Sequence, residues 1–577
     1  MSMQYAFDRC KQYILEQLQS ILPNFPGELR LEIPPDETFG DFSFPCFQLT
    51  SFLKKPPQVI AGDLSAKIKK NILLADIQVK GPYINFFINT DFLVSETLHS
   101  ILSLQKTYGH LKKKNLKVII EHTSANPNGP LHVGRARNPI IGDTLVRIFK
   151  AAGYSVQSQF YLDDMGKQVA ILTWGVQHLD KKDIQQPFYD KPDHISVSYY
   201  QAAYKKMQED ENVSEAIHEL MKKAEQGDKQ ILELAKQAYT PVLEGIQKSL
   251  KRINITIDQY IPESQFVHDK SVEIVVKQLK ESPYAHQEDK AWYLDLESFG
   301  IQGRNTKFFF VRQDGTTLYA TRDIAYHRWK ATQADLLINI LGEDHKLESK
   351  QVAIALQILG VNKIPTVVFY AFVSLPEGKM STRRGRVVYL DELIDECIEH
   401  AYVEVKKRRG SELSEAQMKK IAEIVGLGSL RYNIIKVQPE KDIVFTWEDA
   451  LNFEGNAVPF IQYAHARACS ILAKADDRSS DIFFSNLLIH PSEIKLVKQL
   501  ARYPNVIEAA AQGFKPHLIA NYLNDIASAF NQFYRDCPVL SETNLDLQKS
   551  RLAVVHASKI VLGNALDLLG IAAPEEM

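Results

Sequence analysis

Apolar and polar positions change rhythm several times along this chain of 577 residues. Residues 7–21 carry apolar side chains at helical spacing, which predicts an amphipathic helix. Residues 29–33, 77–80 and 83–88 alternate as strands do. The run Lys112-Lys113-Lys114-Asn115 then reads as a linker, so residues 1–112 are expected to form an α+β N-terminal domain. Val118-Ile119-Ile120 reads as a buried strand and residues 139–149 as a helix. Residues 185–300 look like an insertion; Ile217, Leu220, Ala224, Ile231, Leu234 and Ala238 give part of it a heptad-like apolar stripe. Between 305 and 375 strands and helices alternate again, with continuous apolar runs at 308–311, 336–341 and 367–372. One buried strand before the insertion and three after it predict a doubly wound parallel sheet, Rossmann-like, with a site at its switch point. From about 390 onward nearly everything is helical: a stem over 391–450, then an α-helical bundle over 451–577. The expected fold class is α/β, with the Rossmann-like domain at 113–390.

Composition trims this picture. Hydrophobic residues make up 45% and charged residues 24%, the balance of an ordinary globular protein. No run of 18 apolar residues occurs, so no membrane span or membrane partner is expected. Asp8 and Glu16 interrupt the first twenty residues and argue against a secretory signal. Five cysteines without a CxxC fit free thiols in a reducing cytoplasm, with neither a zinc site nor a disulfide framework. Net charge is −2, and residues 451–577 hold 11 basic against 13 acidic side chains. Any RNA footprint must therefore be a local stripe with stacking contacts.

Two stretches carry the chemistry. The first is Asn126-Pro127-Asn128-Gly129-Pro130-Leu131-His132-Val133-Gly134, between the strand at 118–120 and the helix at 139–149. A strand, a Gly/Pro-rich turn and a helix N-terminus make a nucleotide cradle: backbone at Gly129 and Gly134 can approach phosphate, and His132 can donate to it. Neither GxGxxG nor GxxxxGK[ST] is present, which argues against a dinucleotide site and a P-loop. The second is Gly378-Lys379-Met380-Ser381-Thr382-Arg383-Arg384-Gly385-Arg386, a cationic, hydroxyl-bearing loop suited to phosphate. Gly342-Glu343-Asp344-His345 follows an apolar strand, so His345 is a further cleft candidate.

The pair resembles a known family. His132-Val133-Gly134-Arg135 is similar to the HIGH motif of class I aminoacyl-tRNA synthetases, and Lys379-Met380-Ser381-Thr382-Arg383 to their KMSKS loop. Ser124-Ala125-Asn126-Pro127-Asn128-Gly129-Pro130, Tyr161-Leu162-Asp163-Asp164-Met165-Gly166-Lys167-Gln168, Leu318-Tyr319-Ala320-Thr321-Arg322-Asp323 and the ending Leu569 to Met577 resemble arginyl-tRNA synthetases over nearly the full length. The resemblance implies attachment of L-arginine to its tRNA through arginyl-adenylate, using ATP with Mg²⁺, with bound tRNA required for the first step. It also implies a monomer in the cytoplasm and an N-terminal domain that contacts the tRNA elbow. By pattern alone that domain serves equally as a packing module.

The implied site divides into groups. Catalysis falls to His132, Gly134, Arg135, Lys379 and Ser381. ATP falls to Pro127, Gly129, Pro130, His132, Gly134, Lys379, Met380, Ser381 and Arg383. Arginine falls to Ser124, Asn126, Glu263, Tyr319, Asp323 and, as a cleft residue of unassigned role, His345. A carboxylate facing a guanidinium suits the charged fork of arginine, although Asp323 by pattern serves equally as a helix cap. The tRNA contacts are Tyr463, Arg467 and Met577, with Tyr503, Tyr522 and Phe533 as further stacking candidates. Two positions depart from the family motifs: Arg135 stands for the second histidine and Thr382 for the second lysine, so Arg135, Arg383 and Arg384 are the cations expected to compensate. Two rivals remain: a class I synthetase for another amino acid, and a non-catalytic RNA-binding paralogue.

Overall fold

The structure, a computed structural model, describes residues 5–34, 36–303, 306–375, 378–379, 382–383, 386–452, 454–475 and 483–577. At 37, 375, 378–379, 382–383 and 386–387 it describes the backbone alone.

The N-terminal unit is built from α1 (Ala6–Ile21), β1 (Phe42–Pro45), β2 (Leu74–Lys80), β3 (Tyr83–Ile88) and α2 (Thr90–Leu104). The three strands form an antiparallel sheet in the order β1-β3-β2. Phe7, Cys10, Ile14 and Leu18 lie on one face of α1 and pack with Phe44 and Phe86 of the sheet. The alternation at 29–33 does not become a strand. Only Glu32 bridges Ser43, because the segment runs along the outer side of β1 without a continuing ladder.

The central sheet contains β4 (Lys117–Glu121), followed by α3 (Arg137–Ala151), β5 (Ser155–Leu162) and α4 (Gly166–His178). Three helices come next: α5 (Pro192–Glu209), α6 (Glu211–Glu225) and α7 (Lys229–Arg252). Then come β6 (Gln259–Pro262), a small antiparallel sheet of β7 (Ala285–Glu288), β8 (Ala291–Asp295) and β9 (Lys307–Val311), and α8 (Tyr319–Gln333). The domain closes with β10 (Leu336–Gly342), α9 (Lys346–Ile358) and β11 (Thr366–Tyr370). The main sheet is wholly parallel in the order β11-β10-β4-β5-β6, so its switch point lies between β10 and β4.

This differs from the pattern reading in two places. Residues 308–311 belong to β9 of the antiparallel sheet, where Phe308 and Phe310 fill a core of their own with Phe266 and Leu294. The expected insertion is interrupted by β6, which lies in the main sheet beside β5. An apolar run marks burial, not the sheet that buries it. The strands β5 and β6 carry polar residues (Gln157, Gln159, Gln259), and so they do not stand out as apolar runs.

The C-terminal third holds α10 (Leu390–Arg409), α11 (Glu415–Ile435), α12 (Val458–Lys474), α13 (Pro491–Ala501), α14 (Tyr503–Gly513), α15 (His517–Asp536) and α16 (Leu545–Leu568). Their apolar faces continue the catalytic core as one cluster. Arg431, fully buried on α11, joins the parts: it donates to Leu569 O, Ile253 O and the Asp143 carboxylate. The N-terminal unit docks on the bundle through Tyr108, which stacks on Tyr503 and donates to Leu500 O, and through the Lys498–Asp41 ion pair at 2.7 Å. Tyr503, Tyr522 and Phe533 are core residues, so they are withdrawn as stacking platforms. Among the described residues no helix is long and apolar enough to cross a membrane.

Candidate active site

The cleft opens over the carboxyl ends of the parallel strands, where a doubly wound sheet binds ligands. The loop after β4 begins with Thr123 at φ 74 and Ser124 at φ 29, a conformation that non-glycine residues rarely adopt. Asn138 of α3 holds it there, accepting from Thr123 N at 2.7 Å and donating to Ile340 O at 2.9 Å. One side chain thus spans the switch point. Behind it Gly142 leaves room for His122: a Cβ there would lie 2.3 Å from the imidazole.

The loop then runs through buried Pro127, Gly129 and Pro130. Asn126 Nδ2 donates to Gln168 at 2.7 Å. Gly129 packs on α5: a Cβ on it would meet the Val197 side chain at 2.7 Å. Space for a neighbouring side chain is thus one reason for that glycine. His132 is half-buried, and its Nδ1 accepts from Gly134 N at 3.0 Å, which places the proton of the neutral ring on Nε2. Arg135 is exposed and Arg137 fully buried. Arg137 donates to Ala371 O, Lys441 O and Gln438 O and so ties α3 to the chain leaving β11.

That chain leads into the cationic loop. Its backbone forms two short hairpins, Val373–Leu375 with Gly378–Lys379 and Thr382–Arg383 with Arg386–Val387. Met380, Ser381 and Arg384 lie outside the described residues, as do the side chains of Lys379, Thr382 and Arg383. Beyond the loop the chain returns to the His132 segment: Val133 N donates to Val388 O, and Leu390 N to Leu131 O. Both ends of the loop are therefore fastened beside the cradle. The second fastening is reinforced at Asp391, on the first turn of α10. Its carboxylate is met by Lys191 Nζ at 2.6 Å, His194 Nε2 at 3.2 Å and Ser249 Oγ at 3.1 Å. Burial opposes its ionisation, yet these hydrogen bonds hold its pKa down to about 2. Asp193, His194 and Asp391 are spaced like metal ligands, but the Lys191 ammonium already sits between the two carboxylates as their cation.

On the other side of the cleft, at the ends of β5 and β6, acidic groups gather. Glu263 and Arg322 are both buried and pair at 2.9 Å, and Tyr161 OH donates to Glu263 at 3.3 Å. Burial first, then the Glu263 carboxylate, push the Asp163 pKa up to about 8. Oxygens of Asp163, Glu225 and Glu263 in this pocket are buried without a partner. Tyr319, half-exposed, lies over Gly166, whose added Cβ would come within 2.7 Å of the tyrosine hydroxyl. The Arg322 guanidinium sits 4.9 Å from the Tyr319 ring centre. Asp323 is the fifth residue of α8 and Leu318 is its N-cap, so the capping alternative for Asp323 falls away. Its carboxylate side chain is about one-third exposed and faces His327 Nδ1 at 3.0 Å. Ser124 links the two halves of the cleft: its hydroxyl donates to Glu121 at 3.1 Å and accepts from Tyr161 N at 3.1 Å.

The pattern reading missed Tyr161, Asp163 and Arg322 as members of this pocket. The signal was a second strand–turn–helix unit, β5 to α4, with an acidic pair in its turn. His345, grouped with the arginine contacts, is exposed and pairs with Glu348 at 3.1 Å; this contact raises its pKa. The charges that act on it are Glu348, Asp344 and Arg135.

On the bundle surface, Tyr463 and Tyr534 are each 43% exposed. The Arg467 guanidinium lies over both rings, at 4.7 and 4.9 Å. Tyr534 was not among the expected residues; two aromatics on different helices share no sequence spacing that reveals them. Met577 is half-buried, and its carbonyl accepts from Arg409.

Comparison with known proteins agrees with this architecture. Residues 97–447 match the family of class I tRNA synthetases (R), catalytic domain. Residues 461–577 match the DALR anticodon binding domain, and residues 8–88 the arginyl tRNA synthetase N terminal domain. An arginine–tRNA ligase of Methanocella arvoryzae is 48% identical over 531 residues, covering 92% of each chain. One from Methanothermobacter thermautotrophicus is 41% identical over 574 residues, 99% of this chain and 100% of that one. The solved arginyl-tRNA synthetase of Thermus thermophilus superimposes with a TM-score of 0.84 at 27% identity, covering 99% of both.

Proposed function

The chain belongs to the class I arginyl-tRNA synthetases, and from that premise we propose how its own residues divide the reaction. The activity is ATP-dependent attachment of L-arginine to tRNA, by way of an arginyl-adenylate. Arginine's guanidinium lies in the acidic pocket with Asp323 and Tyr319 against it. Glu263, through its pairing with Arg322, holds the far wall at fixed charge. Ser124 and Asn126 face the amino and carboxylate groups. ATP, taken as substrate with Mg²⁺, lies across the Pro127–Pro130 turn with its phosphates toward His132 Nε2 and Gly134. In-line attack of the carboxylate on the α-phosphate needs positioning and charge neutralisation more than covalent help. Lys379, Met380, Ser381 and Arg383 neutralise the leaving pyrophosphate, and Arg135 adds a further cation. Step two passes arginine to a ribose hydroxyl at the end of tRNA, whose anticodon bases stack on Tyr463 and Tyr534.

The observation that carries this reading is the placing of the His132 turn and a buried acidic pocket over the same carboxyl edge of one parallel sheet. The Ser124 hydroxyl ties the loop after β4 to β5, donating to Glu121 and accepting from Tyr161 N. We further propose that bound tRNA is needed for adenylate formation, and that the enzyme acts as a monomer in the cytoplasm. Charging of bulk tRNA with each of the standard amino acids, labelled in turn, tests the reading. Arginine alone is expected to be incorporated; incorporation of another amino acid, or none, overturns it.

A further inference from the structure

Beneath Asp323 runs a chain of buried polar groups. Lys330 is fully buried, and its ammonium donates to Glu121 at 2.6 Å and to Asn339 Oδ1 at 2.7 Å. Asn339 Nδ2 meets His327 Nε2 at 2.7 Å. His327 Nδ1 meets the Asp323 carbonyl at 2.8 Å and lies 3.0 Å from its carboxylate Oδ1. Donor and acceptor roles follow in one direction. An ammonium only donates, so the oxygen of Asn339 must face Lys330 and its NH₂ must face His327. An amide NH₂ also only donates, so His327 Nε2 must accept. The ring proton is therefore on Nδ1, aimed at Asp323.

The alternative protonations fail on the same grounds. A proton on Nε2 would point at the asparagine NH₂, donor against donor, inside a buried network where an unmade bond is expensive. Glu121, the acid nearest Nε2, is 4.0 Å away, and its oxygens already take Lys330 and Ser124. The Tyr326 ring packs edge-on beside the imidazole, and its hydroxyl donates to Gln159. Resting on the reading of Asp323 as the guanidinium's partner, we propose that Lys330 and Asn339 act as positioning residues. They hold His327 in its neutral, Nδ1-protonated form, so that Asp323 is steered without being neutralised and its charge is kept for the substrate. A doubly protonated His327 would be an internal countercation in direct competition with arginine.

The test is a double-mutant cycle. Asn339→Asp keeps the shape but replaces the NH₂ donor by an acceptor, which calls a proton to Nε2. It is expected to raise the KM for arginine by about tenfold, with the KM for ATP unchanged. Asp323→Asn alone is expected to raise the arginine KM by about tenfold or more. In that background Asn339→Asp should add less than about twofold, because the charge it competes for is gone. An equal factor in both backgrounds, or a parallel rise in the KM for ATP, overturns the proposal. If Asp323→Asn leaves the arginine KM unchanged, the reading of the pocket falls instead. A measurement that needs no Asn339 variant is the ¹⁵N spectrum of histidine-labelled protein, with the His327 signals assigned by their loss in His327→Gln. A proton on Nδ1 is expected; one on Nε2 overturns the proposal.

Discussion

At the ends of β5 and β6 the cleft wall is made of Glu263 and Arg322, both buried, and of the half-buried Asp163. At the end of β10 it is made of Glu343, Asp344 and His345, with Arg135 across from them, mostly exposed. The first wall faces the proposed guanidinium and the second the proposed phosphates. A buried wall fixes charges in a low dielectric, where a ligand lacking the matching charge leaves them unpaired; that is how a polar pocket discriminates. An exposed wall supplies charge that can follow a group as it moves. Its help is weaker for each residue, and completion is left to the loop around Lys379. On the proposed reading, selectivity and turnover are thus built by different means on two sides of one strand.

Glu263→Ala tests the buried wall with the largest effect. Removing one partner of a buried ion pair costs about 3–5 kcal/mol, because Arg322 would keep its charge with no carboxylate beside it. Urea unfolding should show that loss together with loss of arginine charging. Arg135→Ala is the matching change on the exposed wall and should leave the unfolding curve in place. Equal stability losses in the two variants would remove the distinction.

Lys379→Ala should act on turnover alone. Loss of one charged contact to a developing pyrophosphate is expected to lower kcat roughly hundred- to thousandfold, with the arginine KM nearly constant. Single-turnover adenylate formation in the presence of tRNA checks it. A rise in arginine KM of the same size would mean that the loop shapes the arginine pocket as well.

Legibility followed the same division. The exposed wall and its loop were readable because glycines, prolines and clustered cations are local signals: His132, Gly134 and Lys379 stand out in nine-residue windows. In the buried wall, Asp163, Glu263 and Arg322 come from three separate segments, and the parallel pairing of β5 with β6 brings the first two together. Their partnership is a product of topology. The strand at 308–311 failed for a related reason: its apolar run reports burial, while its place depends on pairing with β8. Gly129 was expected to serve the nucleotide, and its contact with Val197 of α5 could only be seen once that helix was placed.

A smaller effect is expected from Arg135→Ala on catalysis. An exposed guanidinium acts through water, so its removal should lower kcat by about tenfold, the low end for a charged transition-state contact. Arg135→His should recover part of it, since imidazole also donates. Wild-type kcat in Arg135→Ala would leave the exposed wall's cationic help to the Lys379 loop alone.

The smallest expected effect separates the walls by pH. Burial and the repulsion of Glu263 raise the Asp163 pKa to about 8, above its unfolded value near 4. A group whose folded pKa is raised contributes stability that is full below the unfolded value and is lost as pH rises through the folded one. The proton therefore stays on Asp163 at neutral pH in the empty pocket. A guanidinium placed beside it favours the ionised form, so arginine binding should release part of a proton. The arginine KM should then fall severalfold between pH 7 and pH 9, bounded by tenfold per unit for one proton. The substrate's own amino group titrates in the same range, but it does so equally for any variant. The informative quantity is therefore the difference in slope between the native enzyme and Asp163→Asn. That difference should be present for arginine and absent for ATP, whose wall holds no buried acid of this kind. Identical slopes in the two proteins would show that Asp163 keeps or loses its proton regardless of the ligand. The buried wall would then discriminate by the fixed Glu263–Arg322 pair alone.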